Sequence, residues 1–599
     1  MSRSHHLCGP DWRPVGNTNA TRAVVTDLTI NFCTLPEAEA EFARDSSVSK
    51  WRRINKDLYL HSTPQNAVAW LLVAEAQEGE LKSDDLVVTD IRTGEICPCD
   101  KHDGSSSSEK YPTATLKTTT TRKSWESRPG GIQVARTKYS DIIHHGQCKG
   151  DSQAQSPAAL PVTGVDVLFG VDAVDPRPHW TLLEHPLQLP DVKPDVPVPR
   201  LTVQHSPSNK DPREPVTPPW EPLRAREDGT FKIVQISDTH MVTGPGVCDD
   251  AVDANGKPLP RQVADPLSIA FLGGILDLEK PDLVILTGDQ LHHDIPDSQS
   301  ALLKVVSPLI ARQIPFAAVF GNHDSEGAYA LSREAQMSIL EDLPFSLCQP
   351  GPDDVEGVGN YYLSVLPHSG NEGSGSEAGV ATLYLVDSHG QIPSDVKNPD
   401  YDAIQQSQID WFTNTSQSLR RARMGGRSEN RDGPPHLSLV FIHIPLPEYE
   451  DDKLVTTGGL RREPTEGPSF NSHFYDALSE EGVLAVSCGH DHVNDFCGVL
   501  PGESNGDQSS AAQLGPWLCY GGGSGFGGYC SYGENRYYRR ARVWELETGK
   551  GGIKTWKRVE YTPDRVDELL LVEGGSVVDP RASLDTRKGP FRTVGQAEL

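Results

Sequence analysis

Asp238-Thr239-His240, Gly288-Asp289, Gly321-Asn322-His323-Asp324, His443 and Gly489-His490-Asp491-His492 are the residues of this 599-residue chain whose types and spacing point to chemistry. Carboxylate, imidazole and carboxamide groups suit divalent or trivalent ions of borderline to hard character, such as Mn, Fe or Zn. A carboxylate shared by two such ions holds them about 3.5–4 Å apart. The pair neutralises phosphate oxygens and lowers the pKa of a bridging water, so hydroxide is present near neutral pH. The expected chemistry is therefore hydrolysis of a phosphate ester by metal-bound hydroxide. Its expected cofactors are two metal ions, with the choice among Mn, Fe and Zn left open. Glycine precedes Asp289, Asn322 and His490, which lets the backbone turn sharply as each side chain swings inward.

Something must bring these groups together, and each follows a short apolar run. The runs are Phe231 to Ile236, Leu283 to Leu286, Pro315 to Phe320, Leu437 to Ile442 and Val483 to Ser487. A further run, Ala381 to Val386, ends at Asp387-Ser388-His389, where His389 is left open as a substrate contact. Runs of this length and composition read as strands buried on both faces. Between the first two, Leu267, Phe271, Ile275 and Leu278 recur at helical spacing, with Asp265 and Pro266 as expected cap and first position. Strand, helix, strand implies an α/β architecture, and ligands in such folds gather at the carboxyl ends of the strands. His292 and His293 follow Asp289 closely and read as loop residues rather than ligands.

In this order the motifs resemble those of the calcineurin-like metallophosphoesterase superfamily, over residues 226 to 545. The resemblance implies a β-sandwich flanked by helices. It also implies that Asp238, His240 and His492 bind one metal, that Asn322, His443 and His490 bind the other, and that Asp289 bridges. His323 would then bind phosphate or protonate the leaving group, with Asp324 orienting it. Purple acid phosphatases carry a metal-binding tyrosine three residues after the bridging Asp; His292 stands there in this chain. Phe441 to Pro445, Gly489 to Gly498, Trp517 to Tyr529 and Arg539 to Arg542 are similar to one branch. That branch holds fungal cell-cycle-regulator phosphatases and plant purple-acid-phosphatase-like proteins. Asp166 to Gly170 and Asp175 to Pro178 extend the likeness to the fungal members toward the N-terminus. Gly521 to Gly528 lacks a Lys-Ser or Lys-Thr ending and reads as a bent loop closing one edge of the site rather than a nucleotide cradle. Arg539, Arg540 and Arg542 read either as a phosphate clamp or as surface charges at a strand start.

At this length two or more domains are expected. Val24 to Leu28 recurs as Val87 to Ile91 and more loosely as Val162 to Asp166, each copy followed by a tryptophan: Trp51, Trp125 and Trp180. Three copies rich in β-branched residues predict an all-β domain over 21–189. It resembles the β-prism modules of endosomal sorting subunits, with an ordinary β-sandwich as the alternative. The expected organisation is an N-terminal tail over 1–20, a Pro-rich linker over 190–225, the phosphoesterase domain over 226–560 and a C-terminal tail over 561–599. Cys97 and Cys99 lack the spacing of a zinc site, and eleven cysteines over this length make no disulfide scaffold.

A formal net charge of -28 repels phosphate backbones, so nucleic acid is not an expected partner. No run approaches the roughly 18 apolar residues that span a bilayer, and the N-terminus lacks the apolar stretch of a secretory signal. The expected compartment is the cytoplasm, or a secreted or vacuolar one if an N-terminal segment is missing. The branch resemblance implies a phosphomonoesterase acting on Ser/Thr phosphoproteins. The alternatives are a phosphodiesterase on small nucleotide or lipid head-group esters, or a non-catalytic adaptor. The expected partner is a phosphorylated protein or small phosphoester, and the N-terminal domain carries an expectation of membrane association.

Overall fold

The computed structural model describes residues 23–34, 51–63, 67–94, 124–142, 160–205, 222–261, 263–368, 379–394, 396, 399–424, 435–501 and 514–581. Cys97 and Cys99 lie outside these residues. The chain divides into two compact units, Met1–Pro218 and Pro219–Leu599.

The first unit consists of three three-stranded antiparallel sheets with one repeated plan. In each, the last strand in sequence lies between the other two. Ala67–Gln77 sits between Ala23–Thr34 and Trp51–Asp57, and Ile132–Lys138 between Leu86–Thr93 and Trp125–Arg128. Pro199–His205 sits between Val162–Phe169 and Trp180–Leu182. The three recurrent sequence copies all fall in the first strand of their sheet, and each tryptophan opens the second strand. The copies also share a register shift near the start of that first strand. Val25, Leu28, Val88, Ile91, Val165 and Val167 are all fully or almost fully buried and join one core fed by all three sheets. No single three-stranded sheet can bury its apolar face alone, which is why the unit needs all three copies.

Pro199–His205 corrects the expected linker over 190–225. Its prolines flank a run in which Leu201, Thr202 and Val203 are buried, and it hydrogen-bonds to strands on both sides. Proline density marked the segment as extended, and extended backbone is also what a strand needs.

The second unit is a sandwich of two seven-stranded sheets. One runs Phe316–Val319, Leu283–Thr287, Thr230–Ile236, Arg540–Glu547, Gly552–Val559, Val566–Glu573, Ser576–Val577. The other runs Tyr361–Val365, Ala381–Leu385, Leu437–Phe441, Ala485–Cys488, Trp517–Tyr520, Cys497–Val499, Val455–Thr457. Phe231, Ile233, Leu283 and Trp544 from the first sheet pack with Leu383, Leu439, Phe441 and Trp517 from the second in one buried cluster. Each such fully buried side chain contributes roughly 1.5–3 kcal/mol. On the outer face of the second sheet, helices Gln406–Met424 and Phe474–Glu480 cover Val440, Val486 and Tyr520.

Three parallel strands in one sheet and four in the other deliver their carboxyl ends to a common edge. The strands at Val566–Glu573 and Ser576–Val577 correct the expected tail from 561. Leu569, Leu571 and Val572 are buried in the sandwich, an alternation that carries the sheet beyond its aromatic-rich part. The helix Ala264–Glu279 begins one residue before the expected cap. Asp265 is buried, accepts the Val242 N–H at 3.0 Å and pairs with the buried Lys304, fastening the loop after the first ligand-bearing strand. Among the described residues no helix is long and apolar enough to cross a membrane.

Candidate metal centre

The loops that leave the strands Thr230–Ile236 and Leu283–Thr287 keep hydrogen-bonding to each other. Asp238 N–H donates to Gly288 O and His240 N–H to Asp289 O, both at 3.0 Å, and Met241 pairs with Leu291. This zipper sets Asp238, His240 and Asp289 side by side. Four of the clustered residues pay in backbone strain, with φ at 55° for Asp238, 46° for His240, 49° for Asp289 and 74° for His490. Left-handed conformations of this kind cost a non-glycine residue about 1–2 kcal/mol each. They persist where the surroundings over-determine them.

The glycines before the ligands serve mainly closeness. Gly288 does turn through a positive φ of 90°, but Gly321 and Gly489 are not left-handed. A Cβ on Gly321 would collide with Asp289, and one on Gly489 with Ser237, while lying 2.9 Å from Asp238 Oδ2. Their missing side chains let the strand ends of both sheets converge.

Two clusters result. Asp238, His240 and His492 each offer one ligand atom within 4.8 Å of the others, and so do Asp289, His443 and His490. In the first, His240 Nε2 lies 3.1 Å from His492 Nε2, and His492 Nε2 lies 3.5 Å from Asp238 Oδ1. In the second, His443 Nε2 lies 3.4 Å from Asp289 Oδ2 and 3.1 Å from Asn322 Oδ1. Asp289 reaches both, since His240 Nε2 is 3.7 Å from its Oδ2. The opposite ring nitrogens are anchored: His443 Nδ1 donates to Thr287 O and His492 Nδ1 to Tyr529 O, each at 2.8 Å. That leaves Nε2 lone pairs pointing inward, the arrangement found at ligating histidines.

Charge and burial agree with this donor set at His240, His490 and His492, while His443 holds a proton that a bound cation would displace. Burial lowers His240 and His490 well below the ordinary imidazole range, and lowers His492 to about 3, so all three are neutral. Burial opposes charge on His443 too, yet Asp289 and Asp238 outweigh it and raise that imidazole to about 9. Burial alone would raise Asp289, but His443, His323 and His240 hold it well below the usual carboxylate range. Asp238 Oδ2 and His490 Nε2 are buried with no hydrogen-bond partner among the described residues. Buried polar atoms are otherwise almost always satisfied. Orphaned acceptors facing neutral imidazoles and carboxylates fit two cations.

His323 and Asp324 divide differently from expectation. The His323 N–H donates to Asp289 Oδ1 at 2.9 Å, which places this residue beside the clusters. Its Nδ1 pairs with Glu326, and Asp289 and Glu326 together raise the imidazole to about 8 against the effect of burial. Asp324 does not orient that ring. Its carboxylate accepts the N–H groups of Leu291 at 2.8 Å and Gly321 at 2.7 Å, so it organises the loop backbone instead. Sequence adjacency pointed to Asp324, but consecutive side chains diverge, and a residue three positions on returns to the same side.

The sequence of the calcineurin-like phosphoesterase family matches residues 231–494. The phosphatase DCR2 of Saccharomyces cerevisiae is 35% identical over 432 residues, 69% of this chain and 67% of that protein. "Probable inactive purple acid phosphatase 29" of Arabidopsis thaliana is 35% identical over 366 residues, 58% of this chain and 86% of that one. The chain belongs to the calcineurin-like phosphoesterase family. A dimetal phosphatase of Danio rerio is a more distant likeness, 15% identical, covering 57% of this chain and 99% of its own with a TM-score of 0.35.

Other candidates in this phosphoesterase fall elsewhere. Arg539, Arg540 and Arg542 are neither a phosphate clamp nor surface charges; all three are buried. Arg539 donates to Gly525 O and Gly528 O, Arg540 pairs with Asp495, and Arg542 donates to Tyr520 O and Asp495 O. The first of these braces the Gly521 to Gly528 loop, whose Gly525 and Gly528 pack against Thr239, His240 and His492. His389 gives its Nε2 to Gln408 Oε1 at 2.7 Å. The neighbouring Ser388 Oγ accepts the N–H groups of His443 and Ile444. Glu326 is the residue that sequence reasoning missed. Its only signal was a carboxylate three residues after a histidine, a spacing too common to stand out.

Proposed function

We propose that this calcineurin-like phosphoesterase is a phosphomonoesterase that dephosphorylates phosphoserine or phosphothreonine in proteins. The observation that carries the reading is the pair of three-residue clusters meeting at Asp289, with the orphaned Nε2 of His490 beside Asp289 and His443. Asp238, His240 and His492 would hold one metal ion, Asn322, His443 and His490 the other, and Asp289 both. Two such ions, when bound, neutralise phosphate oxygens and make water nucleophilic near neutral pH.

The chain's own contribution centres on His323. Glu326 occupies its Nδ1, so Nε2–H is the position left to face a substrate. A serine or threonine alkoxide is a poor leaving group, and a protonated imidazole at that place supplies the proton it needs. Ser388 and Thr287 hold the His443 loop and ring in place, and Tyr529 does the same for His492.

Several relatives carry names that call them inactive, so turnover is the quantity to measure. With Mn added, hydrolysis of p-nitrophenyl phosphate is expected for the unaltered protein, and a loss of at least about a hundredfold for Asp289→Asn. Equal rates in both would end the proposal. Faster hydrolysis of bis-p-nitrophenyl phosphate than of the monoester would move the substrate class to diesters.

A further inference from the structure

We infer that His292 is the positioning residue that fixes the tautomer and orientation of His240 at the first metal position. The inference rests on the two-ion reading above. His443 and His492 each donate Nδ1–H to a backbone carbonyl, at Thr287 and Tyr529. Among the described residues no such carbonyl is bonded to His240. Its Nδ1 faces the Nδ1 of His292 at 3.2 Å, while its Nε2 faces His492 Nε2 at 3.1 Å. Two ring nitrogens at that separation share one proton, so one donates and the other accepts. A His240 that turns its Nε2 lone pair toward an ion carries its hydrogen on Nδ1. His292 must then present a bare Nδ1 and carry its own hydrogen on Nε2.

The backbone holds His292 to this task. Its N–H donates to Met241 O at 3.0 Å, one residue beyond His240, and Leu291 before it is pinned by Asp324. The rings of His240 and His292 meet edge to face, with centroids 5.4 Å apart. An imidazole in the accepting role differs from a carbonyl in one respect: it has a second nitrogen, and its own tautomer must be set for it to accept at all. The neighbouring His293 ring has its centroid 4.1 Å from that of His292.

Titrating Mn into the metal-free protein by calorimetry tests the assignment without reference to turnover. His292→Phe keeps the ring and removes the acceptor; it is expected to weaken one of the two Mn sites ten- to a hundredfold and leave the other unchanged, as loss of an outer partner does. His292→Asn puts an amide oxygen near the position of Nδ1 and is expected to restore most of the affinity. Wild-type binding by H292F, or H292N as weak as H292F, would overturn the inference while leaving the two-ion reading intact. Fewer than two Mn sites in the unaltered protein would remove both. A neutron structure of the unaltered Zn-loaded protein reads the protons directly and does not depend on either variant folding. It should place a hydrogen on His240 Nδ1 directed at a bare His292 Nδ1. A hydrogen on His292 Nδ1, or the His292 ring on the ion itself, sinks the idea.

Discussion

The imidazole of His323 is paired through Nδ1 with the carboxylate of Glu326, while Asp324, its immediate neighbour, faces the backbone of Gly321 and Leu291. The two acids should therefore fail in different ways. Glu326→Gln removes one of the two charges that raise the His323 imidazole, and the partner of its Nδ1, and is expected to lower kcat on a phosphoserine peptide by about 10- to 100-fold with little change in KM. The loss should be smaller on p-nitrophenyl phosphate, whose leaving group needs no proton. Asp324→Asn replaces one of the two oxygens that accept backbone N–H groups and should instead cost about 1–3 kcal/mol of stability in urea denaturation. Equal kcat losses on both substrates for E326Q would remove His323 as the proton donor.

Gly489→Ala tests the convergence of the two sheets. The added methyl would collide with Ser237 Oγ and press on Asp238 Oδ2. Overpacking of this kind costs about 1–3 kcal/mol, and here it should also displace the Asp238 carboxylate, lowering Mn content after dialysis. Adding Ser237→Ala removes the nearest clash and should recover part of both losses. A G489A protein with unchanged melting and unchanged Mn content would show that the close approach has no energetic weight.

A pH effect is expected at a group remote from the centre. His436 accepts from Thr382 Oγ1 at 3.0 Å and donates to Gly379 O at 3.1 Å. Burial, with help from Arg423, lowers it from 6.5 to about 4. A depressed folded pKa means that the unfolded chain takes up the proton first as the solution is acidified. The contribution is complete above pH 6.5 and is lost between there and pH 4, to the extent of about 3 kcal/mol. His436→Gln should flatten the urea stability profile over that window relative to the unaltered protein. Parallel profiles would refute the assignment.

Cys497 and Cys519 form a disulfide between two antiparallel strands, closing a loop of 22 residues that ends where the Gly521 to Gly528 segment begins. Removing it as C497A/C519A should cost about 3 kcal/mol through the freedom returned to the unfolded chain. Thermal melts of both proteins in EDTA separate this from any loss of bound metal. An unchanged Tm would mean that the bridge contributes nothing measurable.

Much of the centre was legible because its parts are local. Asp238, Asp289, Asn322, His443 and His490 each follow an apolar strand, and a strand's carboxyl end is readable within ten residues. The threefold plan of the first unit was visible for the same reason, as a short pattern repeated before a tryptophan. The linker and the tail were misjudged where prolines, or a lack of aromatics, concealed ordinary strands at Pro199–His205 and Val566–Glu573.

By itself the sequence determined which side chains this protein brings to its chemistry and which strands carry them, since composition and period act over neighbouring residues. Only the tertiary structure decided what each of them touches. His490 N–H meets Asp238 across 252 positions of chain, and His292 meets His240 across 52. The choice of Glu326 over Asp324, and the burial of Arg539, Arg540 and Arg542, follow from side-chain directions and from the packing of distant loops. No local pattern encodes these, because they exist only once two sheets have closed on one another.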